Sequence, residues 1–179
     1  MLKQIFAWIY CLDYHELLIL LVCFTGLVCR VQARLGSHRL WEAALLCLWA
    51  GAVLAQTLLQ RPASNPLPPL WHPFQSYLEA LAEGGQRELL RSNLMNAVLF
   101  YPGGMLLEPL LPAGWKPVQK VLVVFIVFAA FSTAIELSQY FFRLGLTQTD
   151  DIIHNTCGAI CGAAIPQIIR SIPNPKRKD

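Results

Sequence analysis

Carboxylates and amides interrupt stretches of this chain that are otherwise apolar, and they are the residues equipped for chemistry. Glu136 and Gln139 break a run of Val, Phe, Ile and Ala between Val121 and Phe142. Shortly after, Thr149-Asp150-Asp151-Ile152-Ile153-His154-Asn155 opens another apolar segment with two acids and an asparagine. An ionisable group in hydrocarbon costs roughly 2.5–3.5 kcal/mol even on the lenient insertion scale, so it needs a partner or a task. Two carboxylates in differing environments suit acid–base work, which makes Glu136 and Asp151 the candidate catalytic residues. Partly desolvated, Glu136 is placed to exchange a proton near neutral pH. The amides beside them suit the orientation of a polar ligand.

Spacing puts each polar set on a single helix face. Glu136, Gln139 and Arg143 stand at i, i+3, i+7, and Asp151, Asn155, Gly158 and Gly162 at i, i+4, i+7, i+11. Asn93, Asn96, Phe100 and Gly104 form a third stripe. By the helical rise, Asn96 lies about 7 Å below Arg91, Glu136 and Gln139 about 10 and 6 Å below Arg143, and Asn155 about 6 Å below Asp151. In lipid, such stripes must turn inward, so three helices are expected to bring polar groups to one level. The expected ligand-binding set is Arg91, Asn96, Glu136, Gln139, Arg143, Asp151 and Asn155. Asp150 or Thr149 is expected to cap the start of the last helix. Gly158 and Gly162 permit a close helix crossing on the Asn155 face.

The elements that position these residues are membrane helices. Of 179 residues, 55% are hydrophobic and only 14% charged, with a mean hydropathy of +0.47. Soluble domains carry about 25% charged residues. The fold expected is an all-α polytopic bundle with about five transmembrane helices: Leu12–Cys29, Leu40–Leu59, Leu94–Leu111, Val118–Phe142 and Ile152–Ile169. Each approaches the ~20 residues needed to span hydrocarbon. The first is the weakest, because Asp13, His15 and Glu16 occupy its opening turn. A cleaved signal peptide ending near Val31-Gln32-Ala33 competes with it, but Arg30 and Arg34 crowd the wrong end. The sequence divides into two N-terminal helices (1–60), an outer loop (61–92), a three-helix core (93–170) and a basic tail (171–179).

Between the second and third spans, a segment from Arg61-Pro62 to Pro73 is too rich in proline for a helix. Phe74–Ala82 then places Phe74, Tyr77, Leu78 and Leu81 on one face, with Gln75, Glu79 and Glu83 elsewhere. This predicts a short interfacial helix closed by Gly84-Gly85. Of the fourteen Lys and Arg residues, nine gather on one side of the spans and five on the other. The positive-inside rule puts the nine-residue side, with the C-terminus, in the cytoplasm and the N-terminus outside.

A net charge of +3 gives no case for nucleic acid. The six cysteines lie mostly inside apolar runs without a C-x-x-C, so neither a disulfide framework nor a metal site is expected. His72 and His154 are too isolated to suggest zinc. No cofactor is expected.

Three motifs in order resemble those of the VanZ-like membrane proteins. Asn96-Ala97-Val98-Leu99-Phe100-Tyr101-Pro102-Gly103-Gly104 is similar to the family's asparagine–apolar–Phe–x–Pro–x–Gly segment. Ile135-Glu136-Leu137-Ser138-Gln139 resembles its I-E-x-x-Q, and Asp150 to Gly158 its D-D-x-x-x-N-T-x-G. Pro73-Phe74 resembles the pair that precedes the family's outer-loop helix. The resemblance covers about Pro73–Ile169. This chain departs from the pattern where the family often has a further acid before the Asp pair, carrying Thr147 and Gln148 there instead. Its loop basic residue, Arg143, also stands further from the acids.

The resemblance implies a multi-pass protein of the bacterial inner membrane, in a family named for low-level resistance to the glycopeptide teicoplanin. Three functions remain open. One is a site in the outer leaflet for the polar head of a membrane lipid, a lipid-linked envelope precursor or a lipoglycopeptide, with Arg91 and Arg143 attracting an anion. The second is an enzyme using Glu136 or Asp151 on a lipid-linked ester or phosphoester. The third is a structural or partner-docking bundle. A transporter fits less well, because the facing segments below Gly104, Ser132 and Gly162 are almost wholly apolar.

Overall fold

The computed structural model describes residues 14–35, 39–59, 61, 68–82 and 87–171. They form six helices: α1 (Tyr14–Leu35), α2 (Arg39–Leu54), α3 (Gln75–Ala82), α4 (Arg87–Leu107), α5 (Pro117–Phe142) and α6 (Thr149–Ser171). A π-helical turn, Ala55–Leu59, prolongs α2, and a 3₁₀ turn, Glu108–Leu110, prolongs α4. The architecture is all-α, and among the described residues extended pairing is confined to a parallel bridge between Leu70 and Gln148.

Three of these helices are long and apolar enough to cross a membrane: Arg39–Leu59, Pro117–Phe142 and Thr149–Ile169. The helices α1 and α4, with 22 and 21 residues, have spanning length. The expected outer-loop helix forms at Gln75–Ala82, whereas the Gly84-Gly85 stop and most of the proline segment lie outside the described residues.

The bundle is centred on the crossing of α4 and α6. Gly104, Gly158 and Gly162 sit where backbone meets backbone. A Cβ on Gly104 would overlap the carbonyl oxygen of Ala159, one on Gly158 that of Ala97, and one on Gly162 that of Tyr101. Dispersion between closely packed backbones holds membrane helices together where lipid offers no hydrophobic drive. Around this crossing lies a core of Val53, Phe100, Val124, Phe128, Ile135, Ala159 and Ala163. Trp49 of α2 closes it, with ring centroids 5.5 Å from both Phe100 and Phe128 in edge-on geometry. Its indole N–H donates to the Leu99 carbonyl at 2.9 Å. The outward sides of α2 and α5 expose Leu45, Leu48, Leu122 and Ile126, as lipid-facing surfaces do.

The end of α5 sets the geometry of the site. Arg143 takes a left-handed conformation at φ 56° and caps the helix, its N–H donating to the carbonyls of Gln139 and Tyr140. Glycine is the usual residue at such a cap. The chain then turns through Gly145, at φ 116°, and enters α6 six residues after the cap.

Candidate functional site

The segment between α5 and α6, together with Leu70–Leu81, covers one end of the bundle, and the acids are distributed on either side of this cover. Leu70 bridges the loop by donating to the Thr147 carbonyl and accepting from the Thr149 N–H, both at 3.0 Å. The Thr149 hydroxyl donates to the Trp71 carbonyl at 3.0 Å.

Asp150 belongs to the cover. It lies in the first turn of α6, but its carboxylate reaches across to α3, accepting from the backbone N–H of Phe74 and, at 2.9 Å, from that of Ser76. It also accepts from the Ser76 hydroxyl, which in turn accepts from Asn93 Nδ2 at 2.9 Å. Asp150 therefore caps the start of α3 rather than that of its own helix. The orphan N–H groups at a helix start are partnered by any acceptor that reaches them, and α3 starts beside α6. Phe74, held at φ 63°, is bulky for that region of backbone space, and the Asp150 bond fixes it there.

A second tie joins the same helices. The Tyr77 hydroxyl lies 2.7 Å from His154 Nε2, and His154 Nδ1 lies 2.6 Å from the Asp150 carbonyl. A carbonyl only accepts, so the Nδ1 carries the proton, and in the neutral ring the Tyr77 hydroxyl donates to Nε2. The rings stack with centroids 5.7 Å apart. His154 is accordingly a fastening of α3 to α6. Among the described residues no set of three His, Cys, Asp or Glu could hold a metal ion, and Cys23, Cys29, Cys47, Cys157 and Cys161 are free thiols.

Asp151, one residue further on, turns inward and is 8% exposed. Asn96 hydrogen-bonds its carboxylate, and Glu136 of α5 lies close enough for the two acids to repel one another. Glu136, 4% exposed, accepts the Gln148 N–H at 3.0 Å and so pins the loop to α5. Both carboxylates feel the positive charge of Arg61, whose guanidinium packs beside Gly145. Three of the expected residues, Asn96, Glu136 and Asp151, are thus together.

The others go elsewhere. Gln139 donates to the Thr57 carbonyl in the π-helical turn of α2 at 3.2 Å, and Asn155 donates to the Ser132 hydroxyl at 2.8 Å. Their amide nitrogens are shared out among separate partners, and their oxygens are not engaged by these bonds. Arg143 is exposed at the α5 cap and Arg91 is half-buried on α4, and Arg61 is a cation that acts on both acids. Arg61 carries no motif signal, since it sits in a proline-rich loop that sequence spacing does not fold. Gln148 and Gln56 were also unforeseen, although Gln148 occupies the position where the motif departs from its family.

Every buried side-chain oxygen in this region needs a donor, and several have none. Gln56 Oε1, Gln139 Oε1, Gln148 Oε1, Asp151 Oδ1 and Asn155 Oδ1 are buried without a hydrogen-bond partner among the described residues. All five are acceptors. An unpartnered buried polar atom costs about 1–3 kcal/mol, so five of them are not a device for stability.

No curated protein and no solved structure matches this chain. A family model described as VanZ/LLP1 matches residues 17–170, which takes in α1 as well as the three motif-bearing helices. With that match running over most of its length, the chain belongs to the VanZ/LLP1 family of membrane proteins.

Proposed function

We propose that the cluster around Glu136 and Asp151 receives the polar head of an amphiphile from the outer leaflet, and that the head carries hydrogen-bond donors such as amines or hydroxyls. The observation that carries this reading is the surplus of buried acceptors: five side-chain oxygens without donors, on α2, α5, α6 and the loop between the last two. A helix-locking role alone does not account for them. Locks are complete, as Asp150 with Ser76 and Phe74 is. Donors brought by a ligand would meet the oxygens, and Arg61 would meet a phosphate or carboxylate on the same head. Lipid-linked envelope precursors and ethanolamine-type phospholipids have this chemistry. The exposed rings of Trp71 and Phe74 would form the rim against which acyl chains pack. Because the acids are buried, binding requires the Arg61 side of the cover to shift.

Native mass spectrometry of protein purified with its lipids tests the reading. Wild type is expected to retain a donor-bearing lipid, and Asp151→Asn and Gln139→Leu to lose it at an unchanged melting temperature. Identical lipid profiles in all three proteins would end the proposal. A contribution to teicoplanin susceptibility belongs to the same proposal, and expression in a teicoplanin-sensitive host with and without Asp151→Asn measures it.

A second reading, an acid–base enzyme acting on a lipid-linked ester or phosphoester, draws on the mutual repulsion of Glu136 and Asp151. It requires purified protein to alter a lipid substrate, and Glu136→Gln to abolish turnover while binding persists.

A further inference from the structure

The opposite end of the bundle carries a second polar feature, unrelated to the acidic cluster. A cavity of about 450 Å³ lies where the starts of α2 and α5 meet the end of α6 and the 3₁₀ turn after α4. Its lining includes Arg39, Glu108, Trp115, Lys120, Gln167 and Ser171. That volume falls within the ~300–1,000 Å³ of ordinary small-ligand sites. Two cations share it with one carboxylate. Lys120 Nζ donates to Glu108 Oε1 at 2.8 Å, and both side chains are largely buried. Arg39 adds a positive charge beyond that pair. Pro117, the first residue of α5, also lines the cavity, so the positive end of a 26-residue helix opens onto it.

The flanks of the cavity are apolar in a way that selects among anions. Within two residues of lining positions in the sequence, Leu40 on α2, Val118 and Leu122 on α5, and Ile168 on α6 are all exposed. Each continues along its helix from a lining residue toward the middle of the bundle. An anion seated at Arg39 would have hydrocarbon-facing surface immediately beside it. Trp115, 40% exposed at the mouth, is the residue type that favours the boundary between water and lipid.

We propose that this cavity is a phosphate site, occupied by the phosphate of an anionic phospholipid whose acyl chains lie along α2, α5 and α6. Arg39 meets the phosphate oxygens in fork geometry, and Lys120, shared with Glu108, supplies a further donor. Gln167 Nε2 donates one hydrogen to the Ala163 carbonyl at 3.0 Å and keeps a second for the phosphate, whereas the Ser171 hydroxyl is committed to the Ile168 carbonyl at 2.7 Å. Basic pockets between membrane helices bind lipid phosphates by the same physics. A free phosphate ester has the same head chemistry without the chains, and the experiment separates the two sources.

The measurement is lipid retention by native mass spectrometry after exchange of the full chain into dioleoyl phosphatidic acid mixed with phosphatidylcholine. Phosphatidic acid has no amine or alcohol head for the acceptor cluster at the other end, and any retention through Arg61 there is unaffected by substitutions at Arg39 and Glu108. Wild type is expected to retain it in preference to phosphatidylcholine, and Arg39→Gln to lower that preference about fivefold. Glu108→Gln should act in the opposite direction, raising retention by a similar factor, because it removes the competing charge and releases the Lys120 ammonium. Opposite signs in two variants of one pocket cannot arise from a damaged fold. Competition by millimolar glycerol 3-phosphate, lost in Arg39→Gln, would uphold the phosphate chemistry and assign it to a soluble ester. Retention unchanged in both variants, with no competition, overturns the proposal.

Discussion

The carboxylate of Asp150 is bonded to Ser76, 74 residues earlier in the chain, through both its backbone N–H and its hydroxyl. The neighbouring Asp151 turns away from Ser76 and toward Asn96 and Glu136. Adjacent acids thus face opposite sides of one turn. One closes the end of the bundle and the other lies beneath the closure.

The two acids should therefore separate on mutation. Asp150→Ala removes acceptors from two N–H groups and a hydroxyl, at a cost of about 1–3 kcal/mol. Hydrogen exchange should report it as lost protection at Ser76–Leu81 together with a lower melting temperature. Asp151→Asn replaces a buried carboxylate by an amide of the same shape and should leave both readouts near wild type. Equal losses from the two substitutions would mean that both acids are locks.

The glycines divide just as cleanly. Alanine at Gly104, Gly158 or Gly162 forces α4 and α6 apart, and each is expected to cost about 1–3 kcal/mol. Alanine at Gly26 or Gly51 meets nothing within 4 Å. In a helix interior it should be neutral or stabilise by up to about 1 kcal/mol. Thermal unfolding in detergent measures both groups.

Arg61 is exposed, so its loss should scarcely change stability, yet it supplies the positive charge that acts on both buried acids. Arg61→Gln is expected to weaken retention of a phosphorylated amphiphile about fivefold to tenfold, while Arg61→Lys restores most of it. An unchanged lipid profile in Arg61→Gln would remove the cation from the site.

Much of this arrangement was legible in the residues. The all-α class, the short helix at Gln75–Ala82 and the inward faces of Glu136 and Asp151 all follow from helical periodicity and the cost of charge in hydrocarbon. The capping preference of Asp150 was legible too, but not its recipient. Local rules assign a cap to the nearest helix start, and only the tertiary placement of α3 against α6 decides otherwise. Gln139 and Asn155 were expected to face one ligand with Asn96. Their amide nitrogens meet neighbours, the Thr57 carbonyl in the π-helical turn and the Ser132 hydroxyl, which residue spacing does not encode, while their oxygens are left without donors. Arg61 was invisible for a related reason, since the path of a proline-rich loop is set by what it packs on.

The most direct measurement of the central claim is competition between a primary-amine and a trimethylated head group on otherwise identical lipids. Phosphatidylethanolamine presents three N–H donors to the acceptor cluster, and phosphatidylcholine presents none. Native mass spectrometry of protein equilibrated with an equal mixture should show about tenfold or greater preference for the amine, abolished by Asp151→Asn with Gln139→Leu. Equal occupancy of the two lipids, unmoved by those substitutions, would contradict an acceptor site for donor-bearing heads.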